Sequence, residues 1–338
     1  MKNAAPIFLV GLFVLAAAGW TGCSLFQSEA PAATNQDHAF PRPAEGEFSV
    51  MTFNLNQYAL LDRDGDADTL EPKPPEEAGA IVEVIRQVSP DILAVEEMGD
   101  PAAWAEFKYS LRQAGLDYPH EEYLRRGKSV LNMAVLSRFP IVANHSHVDD
   151  TYTIGPTKFP VMRGIIEIDL AVNAQYRLRL MVAHLKSKVF HSFGQAEMRR
   201  SEARLLNNHI RDSLKENPDV NLLVVGDFND DPSSAALRDI ATYKRQRLLH
   251  DLRPTDAVGD AWTHRENDDN YHRIDYMLAS DGLMPEVIPE KSFVVRSSLL
   301  LRASDHRPVV ATFAAADRGP DAAPDLSKRL PPEIPQND

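Results

Sequence analysis

Val224-Val225-Gly226-Asp227-Phe228-Asn229 is an apolar run that stops at a glycine and then sets a carboxylate and a carboxamide two positions apart. Side chains at i and i+2 of a strand share a face, so Asp227 and Asn229 are expected to point the same way from a strand end. There a carboxylate can take a proton from water while the amide holds that water or an oxygen of the reacting group. Taken alone, Gly-Asp-x-Asn after a strand is more often a plain turn. The flanking segments change its weight.

On either side the chain alternates short apolar runs with amphipathic stretches. Strands are expected over residues 48–55, 92–96, 133–137, 164–170, 178–184, 222–226, 274–278 and 309–313. Helices are expected over residues 75–88, with Ile81, Val84, Ile85 and Val88 on one face, and over 101–114, with Trp104, Phe107 and Leu111 on one face and Gly115 as the stop. Residues 194–215 place Ala203, Leu206, Ile210 and Leu214 on one stripe. The pattern is a mixed α/β domain in which helices cover sheets.

Several strands end in polar residues. Thr52-Phe53-Asn54-Leu55-Asn56 ends in an amide, and Leu93-Ala94-Val95-Glu96-Glu97-Met98 ends in acid. Val182-Ala183-His184-Leu185-Lys186-Ser187-Lys188 closes on His184, although a lone histidine at a strand end is more often structural. Asp275 interrupts the apolar strand Ile274-Asp275-Tyr276-Met277-Leu278, where a buried acid needs a partner, either a histidine or the nearby Arg273. Ser304-Asp305-His306-Arg307-Pro308 sets a histidine beside an acid just before a buried strand, an arrangement that can keep an imidazolium facing an anion. Oxygen ligands of this kind suit Mg²⁺, Mn²⁺ or Ca²⁺ rather than zinc.

The ordered set Asn54, Glu97, His184, Asp227 with Asn229, Asp275, and Asp305 with His306 resembles the endonuclease/exonuclease/phosphatase superfamily over residues 48–313. Each motif is weak singly; their order, each at a strand end, carries the resemblance. It implies a deoxyribonuclease-I-like fold, a four-layered α/β/β/α sandwich with its active site along one edge of the strands. It further implies Glu97 as a metal ligand, with Asn54 and Asp305 beside it, and Asp227 as the base that deprotonates water, with Asn229 orienting it. His306 would contact the scissile phosphate and be oriented by Asp275. His184 would bind phosphate or protonate the leaving group, and Asn132 and Arg163 would be further phosphate contacts. Relative to the family, Glu96 stands where Gln is common, and Ala183 where a polar residue is common. The implied reaction is metal-dependent hydrolysis of a phosphate ester. Nucleic acid is the favoured substrate because of the stretch from His184 to Lys188; a lipid or small-molecule phosphodiesterase, of the sphingomyelinase kind, and an inactive surface binding protein are the alternatives.

A formal charge of −13 over 338 residues argues against non-specific nucleic-acid binding through a broad basic surface. It leaves room for an enzyme whose cation and local Lys and Arg reverse the sign within one cleft. The single cysteine, Cys23, excludes an intrachain disulfide. It follows Met1-Lys2-Asn3, an apolar stretch and Thr21-Gly22, the layout of a bacterial export signal that ends in a lipoprotein box. Trp20 departs from the aliphatic residue usual there, so plain secretion is the alternative. The expected organisation is a signal over residues 1–23 with lipidation at Cys23, a flexible linker over 24–47, the catalytic domain over 48–314 and a disordered tail over 315–338. That layout makes the protein an exported one of the cell envelope, held to the membrane by lipid, with no obligate protein partner.

Overall fold

A computed structural model of the chain describes residues 40–65, 69–127, 129–266 and 268–328. The export signal and Cys23 lie outside the described residues. Two six-stranded sheets carry the architecture. In the first, the strand order is Val287–Val294, Val309–Ala314, Glu47–Tyr58, Ile92–Met98, Asn132–Ser137 and His120–Leu124. In the second it is Leu249–Asp251, Asp275–Ser280, Leu222–Asp227, Arg177–Ala183, Ile165–Ala171 and Ile141–Asn144. Each sheet is antiparallel except for one central parallel pair, Glu47–Tyr58 with Ile92–Met98 and Leu222–Asp227 with Arg177–Ala183.

The period-2 alternation of these strands divides their apolar residues between two sides. Phe48, Val50, Ile92 and Ala94 of the first sheet pack against Ile168, Leu178, Leu180, Val182, Leu223, Val225 and Met277 of the second, forming the central layer boundary. Their neighbours Met51, Phe53, Leu93 and Val95 face outward onto Ile81, Val84 and Ile85 of helix Pro75–Val88 and onto Trp104 and Phe107 of helix Pro101–Gln113. On the far side, Met181, Leu222, Val224 and Tyr276 meet Ala203, Leu206 and Ile210 of helix Gln195–Glu216 and Ile240 of helix Ala235–Ala241. The result is the four-layered α/β/β/α sandwich. Full burial of each large apolar side chain contributes about 1.5–3 kcal/mol, so three such layers dominate the stability.

The helices start and stop where the sequence provides local partners. Asp100 caps Pro101–Gln113 by accepting from the backbone N–H groups of Ala102 and Ala103. Pro75 supplies a preset φ at the first turn of the other outer helix, which ends at Ser89 in left-handed geometry.

Two expected boundaries are corrected. Phe40, placed in the linker, stacks on Phe293 with ring centroids 5.2 Å apart. The expected tail is ordered in its first part: Ala315 and Leu326 pack against the central core, and the Arg318 N–H donates to Glu286 at 2.8 Å. A segment rich in Pro, Asp and Ala reads as disordered by composition, but a single leucine and a few backbone bonds suffice to dock it.

Candidate active site

The site is built from the inward-facing rows of the strands, at the edge where those rows change from apolar to polar. Asn54 follows Phe48, Val50 and Thr52; His184 follows Leu178, Leu180 and Val182; Asp227 follows Leu223 and Val225. Asp275 lies directly opposite Asp227 in the register of the neighbouring strand. Residues that are remote in sequence therefore converge because one periodicity runs through all of them.

Asp227 is the centre. Its Oδ2 accepts from Asn54 Nδ2 at 3.1 Å, across the gap between the sheets, and from Asn229 Nδ2 at 3.2 Å. Its Oδ1 accepts from the Asn229 backbone N–H at 2.8 Å. His184 Nε2 lies 3.4 Å from Asp227 Oδ2 and His306 Nε2 lies 3.8 Å from the same oxygen. Behind His306, Asp275 Oδ2 is 2.9 Å from Nδ1, which fixes the ring's orientation and makes Nδ1 the donor. Glu97 accepts from the Gln57 N–H at 2.8 Å through one oxygen, and its other oxygen lies 3.9 Å from His184 Nε2.

Several backbone positions around the site are unusual. Glu97 and Asn229 sit at φ 62° and 55°, left-handed geometry that side-chain-bearing residues adopt rarely. At Glu97 the turn breaks the strand's alternation and brings the carboxylate out of the core. Gly226, at φ 130°, lies so close to the adjoining strand that a Cβ would stand 2.1 Å from the Ala183 carbonyl oxygen and 3.1 Å from Glu96 Oε1.

Burial sets the charge states. It pushes the Asp227 carboxyl up to about 7, with Asp275 and Glu97 adding to the rise and His306 opposing it. Burial works against a proton on His306, but Asp275, Asp227 and Asp305 together hold that imidazole well above its ordinary range. His184 is driven the other way, well below the usual imidazole range, by burial and then by Arg163 and His306. The site thus pairs a charged histidine with a neutral one on either side of a carboxylate near its midpoint.

Asn54, His184, Asp227, Asn229, Asp275 and His306 come together as expected from the strand ends, and Glu97 borders them. Asp305 lies on the other side of His306, with its carboxylate 3.7 Å from His264 Nε2, while Ser304 Oγ donates to the Asn54 carbonyl and joins the two segments. Arg163 lies beside His184, donating to the Leu185 carbonyl at 3.5 Å. Asn132 differs from expectation. It is buried, and its amide nitrogen is taken up by the carbonyls of Met98 and Gly99 and by the Tyr123 hydroxyl, so it holds the turn after Glu97 in place of a phosphate contact.

Three residues were assigned no role from the sequence. Glu96 is fully buried beneath the site, accepting from Thr52 Oγ1 at 2.7 Å, and its position in the inward row was the available signal. Glu202, on helix Gln195–Glu216, accepts from the Lys186 N–H at 2.6 Å and so holds the loop after His184. His264 has its ring 4.6 Å from that of His306, and nothing in its sequence surroundings marked it.

Glu97, Asn54 and Asp305 supply only oxygen donors, and a carboxylate–amide–carboxylate set fits a hard ion of the Mg²⁺ class. Among the described residues, Asp227, Asp275 and His306 bring ligand-type atoms within 4.8 Å of one another, as do His264, Asp305 and His306. In the first of these groups the atoms are already paired by hydrogen bonds and ion pairs.

Comparison with known proteins agrees with this architecture. The model of the Endonuclease/Exonuclease/phosphatase family matches residues 51–306. No curated protein matches the sequence. Among solved structures, the human Nocturnin catalytic domain with bound sulfate anion is 18% identical with a TM-score of 0.57, covering 80% of this chain and 95% of that one. Truncated TDP2 of Caenorhabditis elegans is 18% identical with a TM-score of 0.55, covering 80% and 98%. Sphingomyelinase C from Streptomyces griseocarneus is 18% identical with a TM-score of 0.54, covering 79% and 99%. At these identities the likeness is one of fold.

Proposed function

Because the chain belongs to the endonuclease/exonuclease/phosphatase family of hydrolytic phosphoesterases, we propose that it hydrolyses a phosphodiester, with nucleic acid as substrate and a divalent ion of the Mg²⁺ class as cofactor. The observation that carries this reading is Asp227, a carboxylate with its pKa raised to about 7, held by two amides between two histidines of opposite charge state.

In the proposed reaction Asp227 Oδ2 takes a proton from water as the water oxygen bonds to phosphorus, the ester P–O bond opposite it breaks and the departing alkoxide takes a proton from solvent water, while Asn229 and Asn54 keep the carboxylate aimed. His306, protonated and backed by Asp275, donates to the phosphoryl oxygens, where negative charge gathers as the fifth bond forms. Neutral His184 serves as a hydrogen-bond donor to phosphate, because its low pKa disfavours the protonated form that leaving-group protonation would need. Glu97, Asn54 and Asp305 would hold the ion, which when bound supplies Lewis-acid stabilisation of that charge.

The substrate class rests on the rim. The loop after His184 exposes Phe190 at 82% and Val189 at 72%, beside Lys186 and Lys188. Across from it, Tyr271 packs against Trp262 with ring centroids 4.7 Å apart and planes tilted by 57°, and Lys188 and His272 both reach Asp231, so the two rims adjoin. Exposed aromatic faces with nearby cations suit stacked bases and a phosphate backbone. Trp104 contributes nothing here, being buried in the outer core. A second reading is a lipid phosphodiester: Val189, Phe190 and Met162 are exposed apolar side chains near the site, and Sphingomyelinase C shares the fold.

A hydrolysis screen separates the two. Single- and double-stranded DNA, RNA, bis-p-nitrophenyl phosphate and sphingomyelin are offered to the purified protein with Mg²⁺, Mn²⁺ or Ca²⁺. Cleavage of nucleic acid supports the first reading, whereas turnover of sphingomyelin with intact nucleic acid transfers the proposal to lipid. Silence on every substrate would leave the fold and favour an inactive binding protein. The same proposal places the protein in the cell envelope through a lipid on Cys23; Cys23→Ala should release it from the membrane fraction, and unchanged partitioning would remove the anchor.

A further inference from the structure

After helix Ala235–Ala241 the chain makes a hairpin from strands Thr242–Tyr243 and Gln246–Arg247, in which every residue is exposed. Its two-residue turn is Lys244-Arg245, at φ 47° and 69°. Hairpin turns with positive φ at both central positions favour Asn-Gly, so these two long side chains sit on a strained backbone. The hairpin is fastened to helix Gln195–Glu216 by Arg211, whose guanidinium lies 3.6 Å from the centre of the Tyr243 ring. Lys244 Nζ lies 5.3 Å from the same ring.

Four cations, Arg211, Lys244, Arg245 and Arg247, therefore gather at one place, and none of them pairs with a carboxylate among the described residues. Arg211 donates to Asn208 Oδ1 at 3.2 Å, and Arg247 Nη1 lies 3.4 Å from His250 Nδ1. On the same face of the helix, Arg204 and Arg200 stand seven and eleven positions before Arg211, but Asp239 and Glu197 match them. The unmatched positive charge is thus at the hairpin, a local reversal of sign in a chain of formal charge −13. A strained turn built from two cations is the arrangement expected where charge rather than stability decides the residues.

The hairpin is remote from the reacting groups. Leu249, two residues after Arg247, pairs with Ser280, which is five residues along its strand from Asp275, or about 17 Å at about 3.4 Å per residue. A small phosphate ester in the active site does not span that distance; a polymer with a phosphate at every unit does. We propose that hairpin Thr242–Arg247, with Arg211, docks the phosphate backbone of a nucleic-acid strand beyond the segment that is cut. This rests on the nucleic-acid reading above and adds a second contact to it, one that holds the strand without reading its sequence. A lipid surface fits less well, because the tip has no exposed aliphatic side chain to insert and its one aromatic ring lies against Arg211.

The test measures binding of a fluorescein-labelled single DNA strand, long enough to span both sites, to the full-length protein in EDTA over a series of salt concentrations. Wild type is compared with the triple variant Lys244→Glu, Arg245→Glu, Arg247→Glu and with the double variant Lys244→Asn, Arg245→Gly, whose turn suits the backbone and which should melt no lower than wild type. The triple variant should bind about tenfold or more weakly and lose about 2 from the slope of log K against log salt, about 0.7 for each of three phosphate contacts. The double variant should fall between it and wild type, and turnover of bis-p-nitrophenyl phosphate should be unchanged in both. No binding by wild type, or equal affinity and slope in all three proteins, would overturn the proposal; so would variants that lose binding only to phosphatidylglycerol vesicles. Weakened binding in the variants, with no cleavage of nucleic acid by wild type in Mg²⁺ or Mn²⁺, would keep the docking surface and overturn the substrate reading instead.

Discussion

Asn54 and Asp227 stand 173 positions apart in the chain and meet across the two sheets through a 3.1 Å hydrogen bond from Asn54 Nδ2 to Asp227 Oδ2. Each is the last inward-facing member of its strand, so the bond forms only when both sheets are packed in register. It ties the proposed base to the segment proposed to hold the metal.

The activity should follow the titration of Asp227. A general base works only when deprotonated, and this carboxyl is raised from 3.8 to about 7. With the ion bound, kcat/KM for a non-ionising phosphodiester should therefore fall about tenfold per pH unit below the pKa of this carboxyl, which is about 7 without metal and lower where the bound cation depresses it. A flat profile from pH 5 to 8 in every metal condition would remove Asp227 from the role.

The same shift has a consequence for stability. A carboxyl whose folded pKa lies above its unfolded value makes the folded state bind more protons, so stability declines as pH rises from about 4 to about 7. Asp227→Asn abolishes that penalty. Without metal, the variant should be more stable than wild type at pH 8, on the order of 2 kcal/mol, and gain little at pH 4. Thermal melts at the two pH values check it, and a variant less stable at pH 8 would contradict the buried-charge argument.

Asp275→Asn should leave the fold intact and lower kcat by about 100-fold or more, because His306 loses both its orientation and the charge that holds its proton. An NMR titration should show the His306 pKa falling. Loss of activity with an unshifted histidine would reassign Asp275 to a different task.

Gly226→Ala tests the close approach of the two central strands. The added Cβ would meet the Ala183 carbonyl, and a φ of 130° suits only glycine, so a destabilisation of about 2–4 kcal/mol is expected with a marked loss of turnover. Denaturant melts measure it; a change within 0.5 kcal/mol, a margin typical of neutral surface substitutions, would show that the strands can separate there.

Much of this was legible in the sequence because one rule generates both core and site. The alternation that makes Leu223 and Val225 core makes Asp227 an inward carboxylate, and the same holds for Val182 and His184. Where that rule stops, sequence reading stopped too. Glu97 turns out of its strand's alternation at a left-handed φ that no spacing reveals, so it was legible only through the family resemblance, and Asn132, expected as a phosphate contact, is buried beneath that turn by tertiary packing. The place of His264 depends on segments meeting at a distance, for which no local periodicity exists. Leu326 showed how little apolar surface is needed to order a segment whose composition reads as disordered.

The central claim is tested most directly by hydrolysis of bis-p-nitrophenyl phosphate at pH 8 by wild type and Asp227→Asn, each with Mg²⁺ or Mn²⁺, after EDTA, and after the ion is restored. Wild type should turn over only with the ion present and recover when it is restored, and Asp227→Asn should lose about 10³-fold or more in kcat while remaining folded. Turnover that survives EDTA, or a variant that retains wild-type kcat, would contradict metal-dependent hydrolysis with Asp227 as the base.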